Sequence, residues 1–318
     1  MIGVALRLLI GAFALALMAV TLLPLWEATF WWVRAWEFPR VHILVLAALT
    51  LPLAFALRGA GRWIVAVGMI GVVMWQGAWL RPYAAGAGEA VAMREADDGV
   101  TVLSFNVLQS NRDFAATREL IAAVDPDVLV LMETNADWAA ALEGTLAGYP
   151  TQARSITEDR YGLILATRLP ATGVETVTLE GQEAPFAIAT VETGSGPLEI
   201  TAIHPRPPVP RTDGQQRDRQ IERAAELARR GDAAALAVGD FNDVPWSRAA
   251  QRFRDLGGLL DPREGRGLLN SFDPDSLMLS FPLDQALVTE DVVLEEFRLG
   301  PDVGSDHLPL ILRLAPDG

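Results

Sequence analysis

The sequence predicts a layered domain of mixed α/β class that follows a group of membrane-spanning helices. Three observations support this prediction. Residues 1–80 contain three long apolar runs, and from residue 100 onward short apolar strands outnumber helical stretches. Polar residues also recur at the ends of those strands. An excess of strands over helices favours a sheet with both parallel and antiparallel neighbours over a regular strand–helix alternation.

The three apolar runs cover residues 8–25, 41–57 and 63–80. Each is close to the roughly 20 residues that a helix needs to cross a bilayer. A cleaved signal peptide is the alternative for the first run, but that run lacks a clear small-residue cleavage site and two further runs follow it. Tryptophans cluster between and within the runs, as in an interfacial aromatic belt. We therefore expect three spans and a membrane anchor over residues 1–80.

The charges of the short loops predict the orientation of this anchor. Arg58 and Arg62 lie in the link between the second and third runs, which contains no acidic residue. Because Lys and Arg concentrate on the cytoplasmic side, this link and the N-terminus should face the cytoplasm. Three crossings then place everything after residue 80 outside it. The expected location is a bacterial-type inner or plasma membrane, with a multi-pass anchor and an extracytoplasmic domain.

A linker over 81–99 and a domain over 100–314 follow the anchor. Asn135 is a typical N-cap for the helix after it, and the close spacing of the strands between 161 and 203 predicts antiparallel neighbours. The predicted helices cover residues 112–124, 135–146, 212–230 and 247–256. The predicted strands cover residues 102–107, 127–132, 161–166, 174–179, 186–192, 198–203, 233–238, 284–289, 292–298 and 308–314.

The charge of the chain is unevenly distributed. Of its 26 basic and 40 acidic residues, five and two lie in residues 1–80, which leaves 21 and 38 for the remainder, a net charge of −17. Such a surface repels polyanions unless a local basic groove offsets it. Cysteine is absent, which excludes disulfides, thiolate metal sites and cysteine nucleophiles.

Asp240 and Asn242 follow the alanine-rich strand 233–238, which Gly239 ends. Strand ends in α/β proteins commonly carry functional groups, because a rigid sheet holds the loops that follow it. A carboxylate there can take a proton from water, and a carboxamide can hold that water or a substrate oxygen. A local turn that uses Asp and Asn side chains is the structural alternative.

Further polar residues lie at strand ends or beside them, and each has its own structural alternative. A carboxylate at a helix start, a turn residue and a half-buried histidine all occur without function. The joint occurrence, in order along one chain, favours a functional site. The residues are Asn106, Glu133, His204, Asp284, Asp306 and His307.

These motifs resemble, in order, those of the endonuclease/exonuclease/phosphatase superfamily of metal-dependent phosphoesterases. Gly-Asp240-Phe-Asn242 together with Ser-Asp306-His307 is the most specific part of the resemblance, which covers residues 100–314. Gln285 departs from the aromatic residue or His that is common there. The resemblance implies a four-layer sandwich, in which helices flank two mixed β-sheets.

The resemblance also implies roles for the residues. Asn106, Glu133 and Asp306 would lie at a Mg²⁺ ion, with Mn²⁺ as the alternative. Asp240 would activate a water, Asn242 would fix it, His204 would donate to phosphoryl oxygens and Asp284 would orient His307. Whether His307 or Asp240 accepts the proton stays open.

The expected function is that of a membrane-anchored, metal-dependent hydrolase of phosphodiesters or phosphomonoesters. A nuclease of the same family and a catalytically silent binding module are the alternatives. The substrate would be a lipid head group, a small phosphodiester or nucleic acid, and no protein partner is inferred. Four arginines near His204 either bind phosphate or form a solvated surface. They are Arg206, Arg211, Arg217 and Arg219.

Overall fold

The computed structural model describes residues 3–95, 98–178, 184–210, 212–276 and 278–317, so Arg211 and the end of the predicted strand 174–179 lie outside the described residues. The α-helices are α1 Val4–Leu22, α2 Trp31–Arg34, α3 Arg40–Thr50, α4 Ala60–Leu80, α5 Phe114–Val124, α6 Ala136–Leu146, α7 Gly214–Ala228 and α8 Arg248–Gly257. The strands are β1 Val100–Asn106, β2 Val128–Met132, β3 Thr151–Ser155, β4 Leu163–Thr167, β5 Ala171–Val177, β6 Phe186–Thr193, β7 Gly196–Ala202, β8 Ala234–Asp240, β9 Asp284–Val288, β10 Val292–Leu299 and β11 Leu310–Pro316.

Two helices of the described chain, Val4–Leu25 and Ala60–Tyr83, are long and apolar enough to cross a membrane. They contain the first and third predicted spans. The second predicted span is shorter than expected: α3 has 11 residues and continues as the 3-10 helix Pro52–Ala56. It reaches the length of a span only together with Trp31–Glu37, to which it is bent by 67°. Prolines at positions 39 and 52 explain both breaks, because proline cannot continue a helix.

The described part of the domain after the apolar helices contains two mixed sheets. The six-stranded sheet has the order β10-β11-β1-β2-β4-β3, and the five-stranded sheet has the order β5-β6-β7-β8-β9. Each sheet has one parallel pair, β1 with β2 and β7 with β8, and the other neighbours are antiparallel. The carboxyl ends of these four strands carry Asn106, Glu133, His204, Asp240 and Asn242, whereas Asp284 begins β9 and Asp306 and His307 precede β11.

Apolar side chains of the two sheets meet in the central core, which includes Val102, Val130, Ile200 and Val238 of the middle strands. A second cluster packs α5 and α6 on the outer face of the six-stranded sheet, and a third packs α7 and α8 on the five-stranded sheet. The four layers predicted by the resemblance are therefore confirmed.

Side-chain caps begin the four α-helices described in this domain. Asp113, Asn135, Asp213 and Ser247 each accept a hydrogen bond from a backbone N–H in the first turn that follows. Such a cap satisfies one of the N–H groups that a helix start leaves without a partner. The four predicted helices are confirmed within a few residues. The strand β3 is not among the sequence predictions.

The N-terminal apolar segment packs against the domain that follows it. Trp246 donates its indole N–H to the Glu37 carbonyl at 2.8 Å, and its ring lies 5.6 Å from that of Tyr83. The segment after α4 also contacts the domain, since the N–H of Gly265 donates to the carbonyl of Pro82 at 2.7 Å. Residues 92–94 exchange backbone hydrogen bonds with Leu294 on β10. Residues 81–95 therefore lie against the domain.

Candidate active site

The Asp240 carboxylate lies at the centre of the candidate site and is almost fully buried. Its Oδ2 lies 3.6 Å from the Nε2 atoms of both His204 and His307. The same oxygen accepts a hydrogen bond from the Asn106 amide at 3.1 Å. The structure therefore brings together four of the predicted residues from β1, β8 and the loops that follow β7 and precede β11.

The turn after β8 fixes the direction of this carboxylate. Asp240 Oδ1 accepts the backbone N–H of Asn242 at 2.8 Å, and Asn242 has the left-handed φ of 48°. Asn242 Nδ2 donates to the Pro205 carbonyl at 3.0 Å, which links this turn to the loop after β7. Gly239 is required here, because a Cβ atom at its φ of 146° would lie 2.0 Å from the Ile203 carbonyl oxygen. Asn242 thus both shapes the turn and reaches the loop of His204.

His307 is held between two carboxylates. Its Nδ1 lies 2.7 Å from Asp284 Oδ2, while its Nε2 faces Asp240. Burial alone would lower the pKa of His307, but the charges of Asp284 and Asp240 and the hydrogen bond to Asp284 raise it to about 10. Phe272 packs on the imidazole at 5.0 Å between ring centroids. The ring is therefore fixed in place and carries a proton at neutral pH.

Glu133 lies beside this group at the end of β2, in the left-handed backbone conformation with a φ of 58°. Its two carboxylate oxygens accept hydrogen bonds from the Asn106 amide at 3.3 Å and from the Gln109 backbone N–H at 3.1 Å. Gly162 makes room for the adjacent backbone, since a Cβ there would lie 1.7 Å from the Thr134 carbonyl oxygen. The Glu133 carboxylate is therefore oriented toward the site by two separate donors.

Asp306 supplies a fourth carboxylate at the more exposed side of the site. Desolvation raises the pKa of Asp306, and the negative charges of Glu133 and Asp240 raise it further against the opposing charge of His307. The negative charges of Asp306, Glu133 and Asp240 thus act on one another at one edge of the domain. A cation among them would relieve this repulsion.

The donor chemistry fits a hard divalent cation. Glu133 and Asp306 offer carboxylate oxygens, the ligands that Mg²⁺ prefers, and Mg²⁺ commonly uses only one or two such groups. In the described part of the chain, no group of three or more His, Cys, Asp or Glu side chains is placed so that it could hold a metal ion. A Mg²⁺ ion held by only one or two carboxylates commonly keeps water or substrate oxygens in its remaining positions.

Several residues of the site make contacts that the sequence analysis does not predict. The Tyr161 ring lies 5.6 Å from the His204 ring, and Arg206 lies over Tyr161 at 5.4 Å. Gln285 donates to the Asp243 carbonyl at 2.8 Å, so the residue that departs from the family pattern supports the turn after β8. These contacts depend on partners distant in sequence, which a single sequence does not reveal.

Arg217 has a different role from the phosphate contact considered above. It is buried, and its guanidinium donates to Asp243 Oδ2 at 2.8 Å and to the Arg206 carbonyl at 2.7 Å. The side chain therefore ties the loop after β7 to the turn after β8. Arg219, two residues further along α7, is exposed.

The comparisons with known proteins agree with this fold. The family model described as "Endonuclease/Exonuclease/phosphatase family" matches residues 103–307. No curated protein gives a significant sequence match to the chain.

Three solved structures illustrate the likeness. TDP2 of D. rerio, complexed with single-strand DNA product, is 16% identical with a TM-score of 0.58, over 69% of this chain and 100% of that chain. The 3′ phosphatase NExo from Neisseria, bound to a product DNA hairpin, is 19% identical with a TM-score of 0.54, over 67% and 98%. An endonuclease/exonuclease/phosphatase from Beutenbergia cavernae is 18% identical with a TM-score of 0.52, over 70% and 72%.

At these identities the solved structures establish the fold, and the family model establishes the relationship. The match over residues 103–307 covers more than half of the chain and includes every candidate site residue. The chain therefore belongs to the Endonuclease/Exonuclease/phosphatase family, whose members act on phosphoester bonds.

Proposed function

We propose that this protein is a membrane-anchored, metal-dependent hydrolase of phosphodiesters, with phosphomonoesters as a second substrate type. The main supporting observation is the position of the buried Asp240 carboxylate, 3.6 Å from both His204 and His307. A carboxylate between two imidazoles, beside further hard-oxygen donors, matches the needs of phosphoester hydrolysis. Those needs are an activated water and positive charge on the phosphoryl oxygens.

Asp240 acts as the base in this proposal. The Nδ1 of His307 is bound to Asp284 at 2.7 Å, whereas its Nε2 lies 3.6 Å from Asp240, beyond hydrogen-bond distance, and so keeps its proton available to a substrate. His307 and His204 would donate to the phosphoryl oxygens, while Asp240 accepts the proton of the attacking water. The oxygen of that water forms the new bond to phosphorus as the bond to the leaving oxygen breaks, and the leaving oxygen takes up a proton from solvent. Asn242 holds the turn that aims Asp240 and offers its amide to the water or a phosphate oxygen.

Glu133 and Asp306 would hold the divalent cation, with Asn106 orienting Glu133 from the other side. Mg²⁺ is the expected ion and Mn²⁺ the alternative. When bound, the ion supplies positive charge to the non-bridging oxygens. Asn106 also donates to Asp240 at 3.1 Å, so one side chain aligns the base with the metal-holding carboxylate.

The two to three apolar helices anchor the enzyme, and we propose that the domain faces away from the cytoplasm in a bacterial-type inner or plasma membrane. The argument is the positive charge of the link with Arg58 and Arg62. A C-terminal fusion checks it: alkaline phosphatase, which folds only outside the cytoplasm, should be active, and green fluorescent protein should be dark. The opposite pattern would reverse the orientation.

The full chain in detergent, assayed on bis(p-nitrophenyl) phosphate with Mg²⁺, tests the chemistry. Asp240→Asn should lower the rate by about 100-fold or more, as expected for loss of a general base. Asp255→Asn makes the same change on the exposed face of α8 and should leave the rate within twofold. EDTA should abolish hydrolysis, and Mg²⁺ should restore it. Full activity of Asp240→Asn would contradict the assignment of the base.

A nuclease is the second candidate, because two of the similar structures contain product DNA. The net charge of −17 over residues 81–318, from 21 basic and 38 acidic residues, argues against a long polyanion. Nicking of supercoiled DNA that disappears in Asp240→Asn and falls steeply with salt would favour the nuclease. Diester hydrolysis without nicking would favour the leading proposal.

A further inference from the structure

The edge of the domain that carries the site is also the edge that contacts the anchor. Two loops and the start of α7 form the contact. The loops are residues 241–247 between β8 and α8, which follow Asp240, and the described residues of 258–283, which lead into Asp284. Gly214 and Asp218, at the start of α7, follow the loop that contains His204. The anchor therefore packs against the loops of the site instead of the far side of the sandwich.

Two of these contacts involve the segment between α1 and α3. The Arg34 guanidinium binds the Asp218 carboxylate on α7 through two hydrogen bonds of 2.6 Å. Beside it, the chain at Gly214 passes so close to Thr29 that a Cβ would lie 2.1 Å from the Thr29 carbonyl oxygen. Together with the bond from Trp246 to Glu37 described above, these contacts fix how the domain lies over the helix ends.

The third contact connects the membrane helices to His307. The Phe281 ring lies 5.6 Å from that of Phe38 and 6.1 Å from that of His42, in the first turn of α3. Phe281 pairs with Phe272 through backbone hydrogen bonds, and Phe272 packs on His307. Two phenylalanines thus separate the site from the start of a membrane helix.

The tip of the same loop exposes apolar side chains. Met278 is 67% exposed and Leu279 is 55% exposed, within three residues of Phe281. Val209 is exposed on the neighbouring loop of His204. Tyr83, at the end of the last candidate span, contacts Trp246 of the loop after β8, so the end of that span also lies beside these loops. Exposed apolar side chains that continue a membrane-embedded surface are typical of lipid contact.

We propose that residues 278–281 rest in the lipid surface, so that the site takes its phosphoester from a bilayer lipid. This inference rests on the proposed function and names its substrate class. The apolar tip, together with the half-buried Phe281 against Phe38, would bring the rim of the site to the level of lipid head groups. The acidic surface of the domain disfavours a long polyanion at the same position.

Hydrolysis by the full chain in vesicles of phosphatidylethanolamine and phosphatidylglycerol tests the inference, with phosphorus NMR of the products and a soluble diester as reference. In Met278→Asp/Leu279→Asp, the ratio of lipid to soluble-diester turnover should fall about tenfold or more, because each apolar contact with lipid is lost. Leu256→Asp changes an exposed leucine on α8 and should leave the ratio within twofold.

An unchanged ratio in the double variant would overturn the inference. Wild-type hydrolysis of the diester without lipid turnover would also overturn it and leave the proposed function intact. Failure on both substrates would instead count against the proposed function.

A second measurement does not depend on activity. The chain contains no cysteine, so Leu279→Cys and Leu256→Cys each carry a single nitroxide label. In vesicles, the label at 279 should be relaxed more by oxygen than by a water-soluble nickel complex, and the label at 256 should show the reverse. Equal accessibility of both labels to the nickel complex would overturn the lipid contact.

Discussion

Replacing Arg217 by methionine tests whether the loops of the site are held by one buried ion pair. Met keeps much of the side-chain volume and removes the charge and the donors. Arg217 donates to Asp243 and to the Arg206 carbonyl, and both members of the pair are buried. The variant leaves the Asp243 carboxylate buried without its partner. Breaking a buried pair in this way costs about 3–5 kcal/mol of the free energy of unfolding.

This cost converts to a shift in melting temperature. For a domain of roughly 150–250 residues, 1 kcal/mol corresponds to about 2–4 °C, so Arg217→Met should melt about 10 °C below the wild type. The loss of near-UV circular dichroism of the full chain in detergent measures the transition. Residual activity at low temperature should fall as well, because Arg217 joins the His204 loop to the Asp240 turn.

Two further variants make this prediction specific. Arg219→Met removes the same charge from the exposed face of α7 and should change the melting temperature by no more than about 2 °C. Arg217→Met/Asp243→Asn also removes the unpaired buried charge of Asp243 and should recover part of the lost melting temperature. A double-mutant cycle measures this recovery. If the melting temperatures of Arg217→Met and Arg219→Met are the same, the pair does not hold the loops as described.

Three other predictions concern single features. Glu133→Gln should raise the Mg²⁺ concentration for half-maximal hydrolysis about tenfold or more, because one carboxylate ligand is lost. Glu119→Gln, at an exposed position, is the control. The same Mg²⁺ dependence in both variants would contradict the assignment of Glu133 as a metal ligand. His307 has a pKa raised to about 10, so its contribution to stability is complete below about pH 6.5 and is lost as the pH rises toward 10. Asp284→Asn should therefore flatten the decline in melting temperature of the metal-free protein between about pH 7 and pH 10, and an unchanged slope would refute this reasoning. Gly162→Ala should destabilise the domain by about 1–3 kcal/mol through its clash with Thr134. Gly144→Ala, in open space on α6, should be neutral or stabilising. Similar unfolding curves for the two variants would contradict the close contact between Gly162 and the Thr134 backbone.

Sequence patterns predict the strands and the site where local pattern and tertiary structure agree. Buried strands such as β2 and β8 are continuous apolar runs, and the polar residues at their ends are easily seen. The strand β3 escapes prediction because its residues, Thr151–Ser155, are mostly polar and lie at the edge of a sheet. An edge strand with a solvated face carries little hydrophobic signal.

Contacts between distant segments are beyond the reach of sequence patterns. Arg217 lies in a polar helix, and its burial depends on Asp243, which becomes its neighbour only in the folded chain. The same holds for Trp246, whose partners Glu37 and Tyr83 lie more than 160 residues earlier in the chain. The bend before α3 is likewise absent from the sequence predictions, which treat residues 41–57 as one span, although Pro39 lies at the break.

The left-handed backbone at Glu133 and Asn242 has a consequence for any attempt to stabilise this protein. A non-glycine residue in this conformation costs of order 1 kcal/mol or more, and glycine would relieve that strain. A selection for heat resistance alone should therefore favour glycine at both positions. Such a selection would remove the two side chains on which hydrolysis is proposed to depend. Thermal stability and catalytic activity therefore favour different residues at these two positions.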